Sequence, residues 1–225
     1  MQQALAQLAG QLEGELHYDS LLRALYATDG SIYKAYPLAV ALPCSVADLK
    51  KLITFARQNH TSLIPRTAGT SLAGQCVGEG IVVDVSKHFT KILEVNVEEQ
   101  TVRLQPGVIR DELNRHLQPY GLYFGPNTST ANRCMLGGMV GNNSCGTTSI
   151  VYGSTRDHVI ELHTVLSDGS EAVFGPLSAT ELEGKLQLDT LEGQLYRHML
   201  AELSPAEVRG EIRSQYPKPR IHRRN

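Results

Sequence analysis

The sequence predicts an α+β fold in which a β-α-β unit comes first and antiparallel hairpins follow. An apolar segment between two prolines, 37–43, precedes a helical pattern, and a short apolar strand at 62–65 closes the unit. Two later segments, 91–107 and 159–175, alternate apolar and polar residues around a polar turn, which is typical of hairpins. Together these patterns predict a mixed chain rather than an all-helical or all-strand one.

The helix of the β-α-β unit has a recognisable start. Ser45 and Asp48 stand three residues apart in the pattern of a capping box, ahead of an apolar stripe at helix spacing. Beyond it, the continuous apolar run 80–86 predicts a buried strand.

Helical periodicity marks three further parts of the chain. Three leucines in the first twelve residues recur at helix spacing, so residues 1–30 are predicted to be helical. Residues 108–118 predict a helix that a following proline and glycine end. The polar sequence of 178–216 predicts further helices.

Composition narrows the class of protein. The 225 residues include 21 basic and 23 acidic side chains, a net charge of −2. The sequence therefore lacks the excess of basic residues that is typical of nucleic-acid-binding proteins. The four cysteines form no C-x-x-C pair, so we expect free thiols and no metal site. No apolar run reaches the ~20 residues of a membrane helix, and the start of the chain lacks a basic signal region. We therefore expect a cytoplasmic protein without a transmembrane segment.

Two segments are unusually rich in glycine and small polar residues. The first segment, 65–75, follows a predicted strand, and the second segment, 125–158, carries repeated glycine, asparagine, serine and threonine. Each alone fits a surface loop or a ligand site, whereas two in one chain favour a ligand site because glycine lets a backbone approach a ligand closely. Gln75 and Cys76 replace the lysine and hydroxyl residue of a P-loop, and no G-x-G-x-x-G run is present.

Three motifs in order resemble one family: "IPRTAGTSLAGQ", "PNTSTANRCMLGGMVGNNSCG" and "YGSTRDHVIELHTVLSDG". Residues 36–175 are similar to the FAD-binding domain of the vanillyl-alcohol oxidase (PCMH) type. The resemblance is to FAD-linked D-2-hydroxy-acid dehydrogenases, namely glycolate oxidase flavoprotein subunits, D-lactate dehydrogenases and D-2-hydroxyglutarate dehydrogenases. It implies two α/β subdomains, a small β-α-β sheet and a larger, mainly antiparallel sheet, with the domain truncated at its C-terminal end.

The resemblance implies FAD contacts in all three motifs. In the first motif they are Arg66, Gly69, Thr70, Ser71 and Leu72. In the second they are Pro126, Thr128, Ser129, Gly137, Gly138, Gly141, Asn142, Ser144, Cys145 and Gly146. In the third they are Tyr152, Gly153 and Val159. From the residues alone, Arg66 is also compatible with a surface arginine, and Tyr152 with an ordinary core residue.

The resemblance also sets expectations about attachment and domains. Some relatives tether FAD through a histidine where this chain has Thr70, so we expect non-covalent FAD. We expect an N-terminal helical arm at 1–35, the FAD-binding domain at 36–175, and a helical extension at 176–225. That extension leads toward a closing segment and cap domain that these residues lack. An iron–sulfur cluster is expected only in a longer parent chain.

The implied function is dehydrogenation of a small D-2-hydroxy acid, bound through the cap, with electrons passed to a quinone, cytochrome or flavoprotein. No catalytic residue is assigned, since the family's acid–base histidine is expected outside these residues. A full-length protein is expected in the cytoplasm, with peripheral association at the inner membrane as a second location. Two alternatives remain open: an FAD domain of the UDP-sugar enoyl reductase type, and a non-catalytic, truncated FAD-binding module.

Overall fold

The computed structural model describes residues 1–215, and the chain divides into two compact units, Met1–His158 and one that begins at Val159. Each unit is described by itself. The basic cluster Lys218–Arg224 lies outside the described residues.

A four-stranded sheet forms the first part of the Met1–His158 unit. Its strands are β1 (Glu15–His17), β2 (Ala39–Leu42), β3 (Leu63–Arg66) and β4 (Ile81–Asp84), in the order β1-β2-β4-β3. The last three are parallel, and β1 runs antiparallel to β2. The predicted β-α-β unit is confirmed, with β4 inserted between its two strands.

Three helices accompany this sheet, namely α1 (Gln2–Ala9), α2 (Ser20–Leu25) and α3 (Val46–Gln58). Leu5 and Leu8 of α1 and Leu52 of α3 are buried in one cluster with apolar residues of β2 and β4. Every residue of β2 and β4 is buried, as expected for central strands covered on both faces.

The prediction that residues 1–30 are helical is wrong at β1. Residues Glu15–His17 pair with the edge of β2, and α1 and α2 flank this strand. The leucine periodicity describes α1 correctly, but the unpaired edge of β2 decides the conformation of the residues that follow.

Asp48 also departs from its predicted role. The Ser45 side chain accepts the Asp48 N–H at 3.2 Å, as a cap should. The fully buried Asp48 carboxylate accepts backbone N–H groups of Glu13 (2.9 Å), Gly14 (2.9 Å) and Cys44 (3.2 Å) instead of closing the capping box. It therefore ties the N-terminal segment to the start of α3.

The rest of this unit holds a hairpin and short helices. The elements are β5 (Ile92–Asn96), β6 (Thr101–Leu104), α4 (Arg110–Leu117), α5 (Leu136–Gly141) and α6 (Ser149–Tyr152), with 3₁₀ turns at Gln118–Tyr120 and Thr155–His158. The predicted hairpin and α4 are confirmed. Leu136 and Met139 of the second segment pack with Leu113 of α4 in a second buried cluster. The second segment therefore contributes apolar side chains to this second core, which its composition did not predict.

The unit that begins at Val159 contains β7 (Leu162–Val165), β8 (Glu171–Phe174), α7 (Ala179–Leu186), α8 (Leu191–Leu203) and α9 (Ala206–Gln215). β7 and β8 form the predicted hairpin, with Gly169 at φ 87° in its turn. Lys185 of α7 contacts the buried Glu192 carboxylate of α8 at 2.6 Å.

The α+β class is confirmed, but the antiparallel part takes a different form from the one predicted. Among the described residues, β5–β6 and β7–β8 are separate two-stranded sheets rather than strands of one larger sheet. The functional boundaries at 35 and 175 stay a prediction. In residues 1–215, no helix combines the length and apolar character that crossing a bilayer requires.

Candidate cofactor-binding site

The structure brings the two glycine-rich segments together at one open cleft of about 370 Å³. The first segment contributes Arg66, Gly69, Thr70 and Leu72, and the second contributes Thr130 and Arg133. The remaining wall comes from Leu25 and residues 28–30, which precede the sheet strand β2. The sequence did not identify this third wall, because nothing in its composition resembles a ligand loop.

The two segments also touch directly. A Cβ at Gly138 would lie 2.5 Å from the hydroxyl oxygen of Thr67, so the start of α5 packs against the first segment. This contact places the beginning of a helix beside the first segment.

Arg66 ends β3 and lies on the cleft. Its Nη1 donates to the Thr28 carbonyl at 2.8 Å, whereas Nε and Nη2 donate no hydrogen bond to any described residue. A guanidinium with unused donors at the mouth of a cleft is suited to an anion such as a phosphate. Arg66 therefore lines the cleft, and its contact with FAD stays a prediction.

Asn143 has a buried side-chain N–H group without a hydrogen-bond acceptor among the described residues. It is 8% exposed and adopts φ 43°, a left-handed conformation that asparagine tolerates better than most residues. Its Oδ1 accepts the Arg156 N–H at 3.1 Å, but its buried Nδ2 has no partner among the described residues. A buried N–H without an acceptor costs about 1–3 kcal/mol. Asn143 is not among the residues that line the cleft.

The neighbouring Asn142, which the resemblance implied as a contact, is already engaged. Its Nδ2 donates to Ser144 Oγ at 2.9 Å. Two adjacent asparagines look alike in the sequence, but only the Asn143 amide nitrogen is both buried and without a partner among the described residues.

Most of the predicted cofactor glycines have a reason within the protein. Gly69 (φ 65°) and Gly153 (φ 76°) occupy left-handed conformations, and a Cβ at Gly146 would collide with the Asn127 carbonyl. A Cβ at Gly137 would collide with Pro106. Gly141 alone in this set has no described atom within 4 Å of its Cβ position. The interpretation that these residues are small only to admit a ligand is therefore corrected, since protein packing requires most of them.

Other implied residues fall into two groups. Those turned into the protein are Pro126, which is fully buried, Thr128, whose hydroxyl is 3.1 Å from Cys134 Sγ, and Ser144, which is 8% exposed. Those with substantial exposure are Leu72, Ser129 and Tyr152, while Cys145 is partly exposed. Tyr152 is not a core residue: it is 40% exposed and packs edge-on against Tyr123. Val159 is the first residue of the second unit, and its predicted contact with FAD stays a prediction.

The chemistry of the cleft fits an extended, anion-bearing group better than a metal. Asp29 is the acidic residue on the wall, and its carboxylate accepts Ser31 N–H at 2.8 Å and contacts Cys76 Sγ at 3.6 Å. Burial opposes its ionisation, but these hydrogen bonds and the charge of Arg66 outweigh burial and lower the pKa of Asp29. Within residues 1–215, no group of three His, Cys, Asp or Glu side chains could hold a metal ion.

The chain is similar to curated dehydrogenases and oxidase subunits. The chain is 40% identical over 209 residues to a D-2-hydroxyglutarate dehydrogenase of Pseudomonas putida, a match that spans 91% of this chain and 20% of that protein. It is 33% identical over 178 residues to glycolate oxidase subunit GlcD of Bacillus subtilis, covering 77% of this chain and 38% of the relative. The chain thus spans about a fifth of the length of the first relative.

A solved structure shares the fold, and a family model identifies the family. The fold matches that of alkyldihydroxyacetonephosphate synthase with a TM-score of 0.68 at 22% identity, over 80% of this chain and 35% of the other. The family model described as FAD binding domain matches residues 37–175, more than half of the sequence. FAD is accordingly the cofactor of the family. The chain belongs to the FAD binding domain family.

Proposed function

We propose that this chain is the FAD-binding part of a flavin-dependent dehydrogenase of D-2-hydroxy acids, with D-2-hydroxyglutarate as the first substrate to test. The 40% identity to a D-2-hydroxyglutarate dehydrogenase, over 91% of the chain, supports this substrate class. The similarity to glycolate oxidase subunit GlcD supports the wider class of 2-hydroxy acids.

The observation that carries the proposal is the meeting of the two glycine-rich segments at one cleft. Arg66 offers two unused donors there. The second segment also contains Asn143, whose buried N–H lacks an acceptor but which is not among the residues that line the cleft. When bound, FAD supplies the hydride-accepting chemistry, and the protein binds and orients it. We assign Arg66 to the diphosphate.

Thr70 has no imidazole with which to form a flavin bond, so we propose that FAD is held non-covalently. The hydroxy acid is bound by residues of a longer protein, because the chain spans only about a fifth of its first relative. The electron acceptor is a quinone, a cytochrome or another flavoprotein. Association of a longer protein with the inner membrane belongs to the same proposal.

Titration of the purified chain with FAD, followed by flavin fluorescence, tests the cofactor assignment. We expect binding in the micromolar range or weaker, and the yellow colour should remain in the supernatant after acid precipitation. Arg66→Gln should weaken binding about tenfold or more, because a charge-assisted hydrogen bond contributes about 1.5–3 kcal/mol. Arg57→Gln, on the exposed part of α3, is the matched control and should bind FAD like the unchanged chain.

Turnover with D-2-hydroxyglutarate, D-lactate and glycolate and an artificial electron acceptor tests the substrate assignment. We expect no activity from the 225-residue chain alone. Robust turnover would show that the substrate pocket is built from residues described above as structural. Absence of FAD binding at any concentration would contradict the cofactor assignment for this chain.

A further inference from the structure

We propose that Tyr26 and Asp84 are positioning residues that hold the Arg66 guanidinium across the first segment, so that its free donors face the cleft. The proposal rests on the proposed function in one respect: the anion that Arg66 meets is the diphosphate of FAD.

The chain of contacts starts at Asp84, the last residue of β4. This carboxylate is 5% exposed, and its Oδ1 accepts the Ser86 N–H at 2.7 Å. Its Oδ2 accepts the Tyr26 hydroxyl, also at 2.7 Å. A buried carboxylate that uses both oxygens in this way is a fixed point from which a neighbouring side chain can be oriented.

Asp84 and Arg66 are direct partners in the register of the parallel strands β4 and β3. Among the described residues they do not form an ion pair; instead, Tyr26 lies between them in the network. The Tyr26 hydroxyl meets the carboxylate while its ring lies under the guanidinium, 5.1 Å from the ring centre to Cζ. Such cation–π contacts contribute about 0.5–2 kcal/mol.

Tyr26 remains a hydrogen-bond donor in this network over the whole physiological pH range. Burial and then the nearby Asp84 carboxylate raise the pKa of Tyr26 well above its usual value. The hydroxyl therefore remains protonated and continues to donate to Asp84.

Two further features fix the orientation of Arg66: the Thr28 carbonyl and the lack of a side chain at Gly69. Nη1 donates to the Thr28 carbonyl, and the absence of a Cβ at Gly69 lets the guanidinium lie against the first segment, since a Cβ there would be 2.8 Å from Arg66 Cζ. The Gly30 N–H also donates to the Gly69 carbonyl at 3.0 Å. Residues 26–30 thus brace both the arginine and the backbone beside it.

Residues 26–30, which support Arg66 and the backbone beside it, lie outside the family domain. The family model begins at residue 37, and the motif resemblance begins at residue 36, so Tyr26 and Thr28 precede both. The N-terminal segment therefore supplies a function for the cofactor site, in addition to its strand in the sheet.

A double-mutant cycle between Tyr26 and Arg66 tests the proposal, with FAD affinity as the measured quantity. Tyr26→Leu removes the ring and should weaken FAD binding about tenfold, at the upper end of a cation–π contribution. Tyr26→Phe keeps the ring and should weaken binding less, about threefold. Arg66→Ala should weaken it about thirtyfold, and adding Tyr26→Leu to Arg66→Ala should weaken it no further, because the tyrosine acts through the arginine.

A stability control separates positioning from general damage. Phe55→Leu removes buried ring area from α3 in the core of the same sheet, away from the cleft. It should lower the melting temperature at least as much as Tyr26→Leu while leaving FAD affinity unchanged. Equal loss of FAD affinity in both variants, or additive effects in the cycle, would overturn the proposal.

A second measurement needs no cofactor. In the NMR spectrum of the FAD-free chain, the Arg66 Nε–H signal should carry a ring-current shift that Tyr26→Leu removes, and the amide signals of residues 67–72 should move with it. An unchanged Arg66 signal in Tyr26→Leu overturns the positioning role even if FAD binds. A chain that binds no FAD contradicts the proposed function instead, and the NMR result still decides whether Tyr26 positions Arg66.

Discussion

The two glycine-rich segments line the same cleft, but different kinds of contact hold them. The first segment is held largely by side chains, with Arg66 on the Thr28 carbonyl and Ser71 Oγ on Gln75 at 2.8 Å. Just beyond its end, Cys76 Sγ contacts Asp29. The second segment is held by close backbone packing, in which glycines abut Pro106 and the Asn127 carbonyl. Similar compositions therefore arise from different physical causes.

The second segment also buries its polar contacts more deeply. The Ser144 carbonyl accepts both the Thr155 N–H (2.9 Å) and the Thr155 hydroxyl (2.7 Å), and Thr155 is 1% exposed. We conclude that a methyl group added at Gly137 or Gly146 of the second segment should meet backbone or proline atoms that cannot move, whereas one added at Gly69 of the first should meet the movable Arg66 side chain and a strained φ. The following variants test this difference, from the largest expected effect to the smallest.

Gly146→Ala should have the largest effect, because its Cβ would collide with the Asn127 carbonyl, which cannot move as a flexible side chain can. We expect a loss of about 3 kcal/mol or more, near the upper end for overpacking, and a melting temperature lower by about 6–12 °C. Gly141→Ala is the matched control, since its Cβ position is open. It should be neutral or stabilise the end of α5, and equal losses in both variants would contradict the packing argument.

Gly138→Ala tests the contact between the two segments. The new Cβ would lie 2.5 Å from Thr67 Oγ1 but 3.8 Å from Thr67 Cβ, an ordinary contact distance. We expect a loss of about 2 kcal/mol in urea unfolding, which Thr67→Ala should largely restore in the double variant because it removes the hydroxyl. Thr67→Ala should not rescue Gly146→Ala. Failure of the specific rescue would mean that the segments do not meet at this pair.

Thr155→Val should remove one buried hydrogen bond from the second segment without much change in side-chain volume. The Ser144 carbonyl keeps the Thr155 N–H as a donor, so we expect a loss of only about 1 kcal/mol in the free energy of unfolding. Thr155→Ser keeps the hydroxyl and loses the methyl group, and unfolding in urea compares the two. If the serine variant were the only one destabilised, packing rather than the hydroxyl would hold this turn.

The smallest effect is a pH dependence of the cleft wall beside the first segment, through Asp29. Because the folded pKa of Asp29 is lowered, its stabilisation is fully present above the unfolded value of about 3.9 and is lost as the pH falls through the folded pKa. Unfolding in urea at pH 5.5 and 3.5 should show that Asp29→Asn reduces stability by about 1 kcal/mol at pH 5.5 and by less at pH 3.5. A difference that grows toward acid pH would reverse the sign and refute this role.

The sequence by itself determined the elements whose signals are local. The β-α-β unit, both hairpins, α4 and the C-terminal helices follow from periodicity and turn residues within a few positions of one another. Three motifs also sufficed to identify the FAD binding domain family, since their order and spacing are properties of the chain alone.

Only the tertiary structure decided which residues meet. Residues 15–17 form a strand because β2 has a free edge. The Asn143 amide nitrogen is buried without a partner among the described residues, whereas that of Asn142 donates to Ser144 Oγ. Tyr26 reaches Asp84 across 58 positions of sequence, a separation over which periodicity carries no information. From the sequence, the glycines of the second segment are interpreted as space for a ligand. In the structure, a Cβ at most of them would collide with protein atoms that are distant in sequence but adjacent in space.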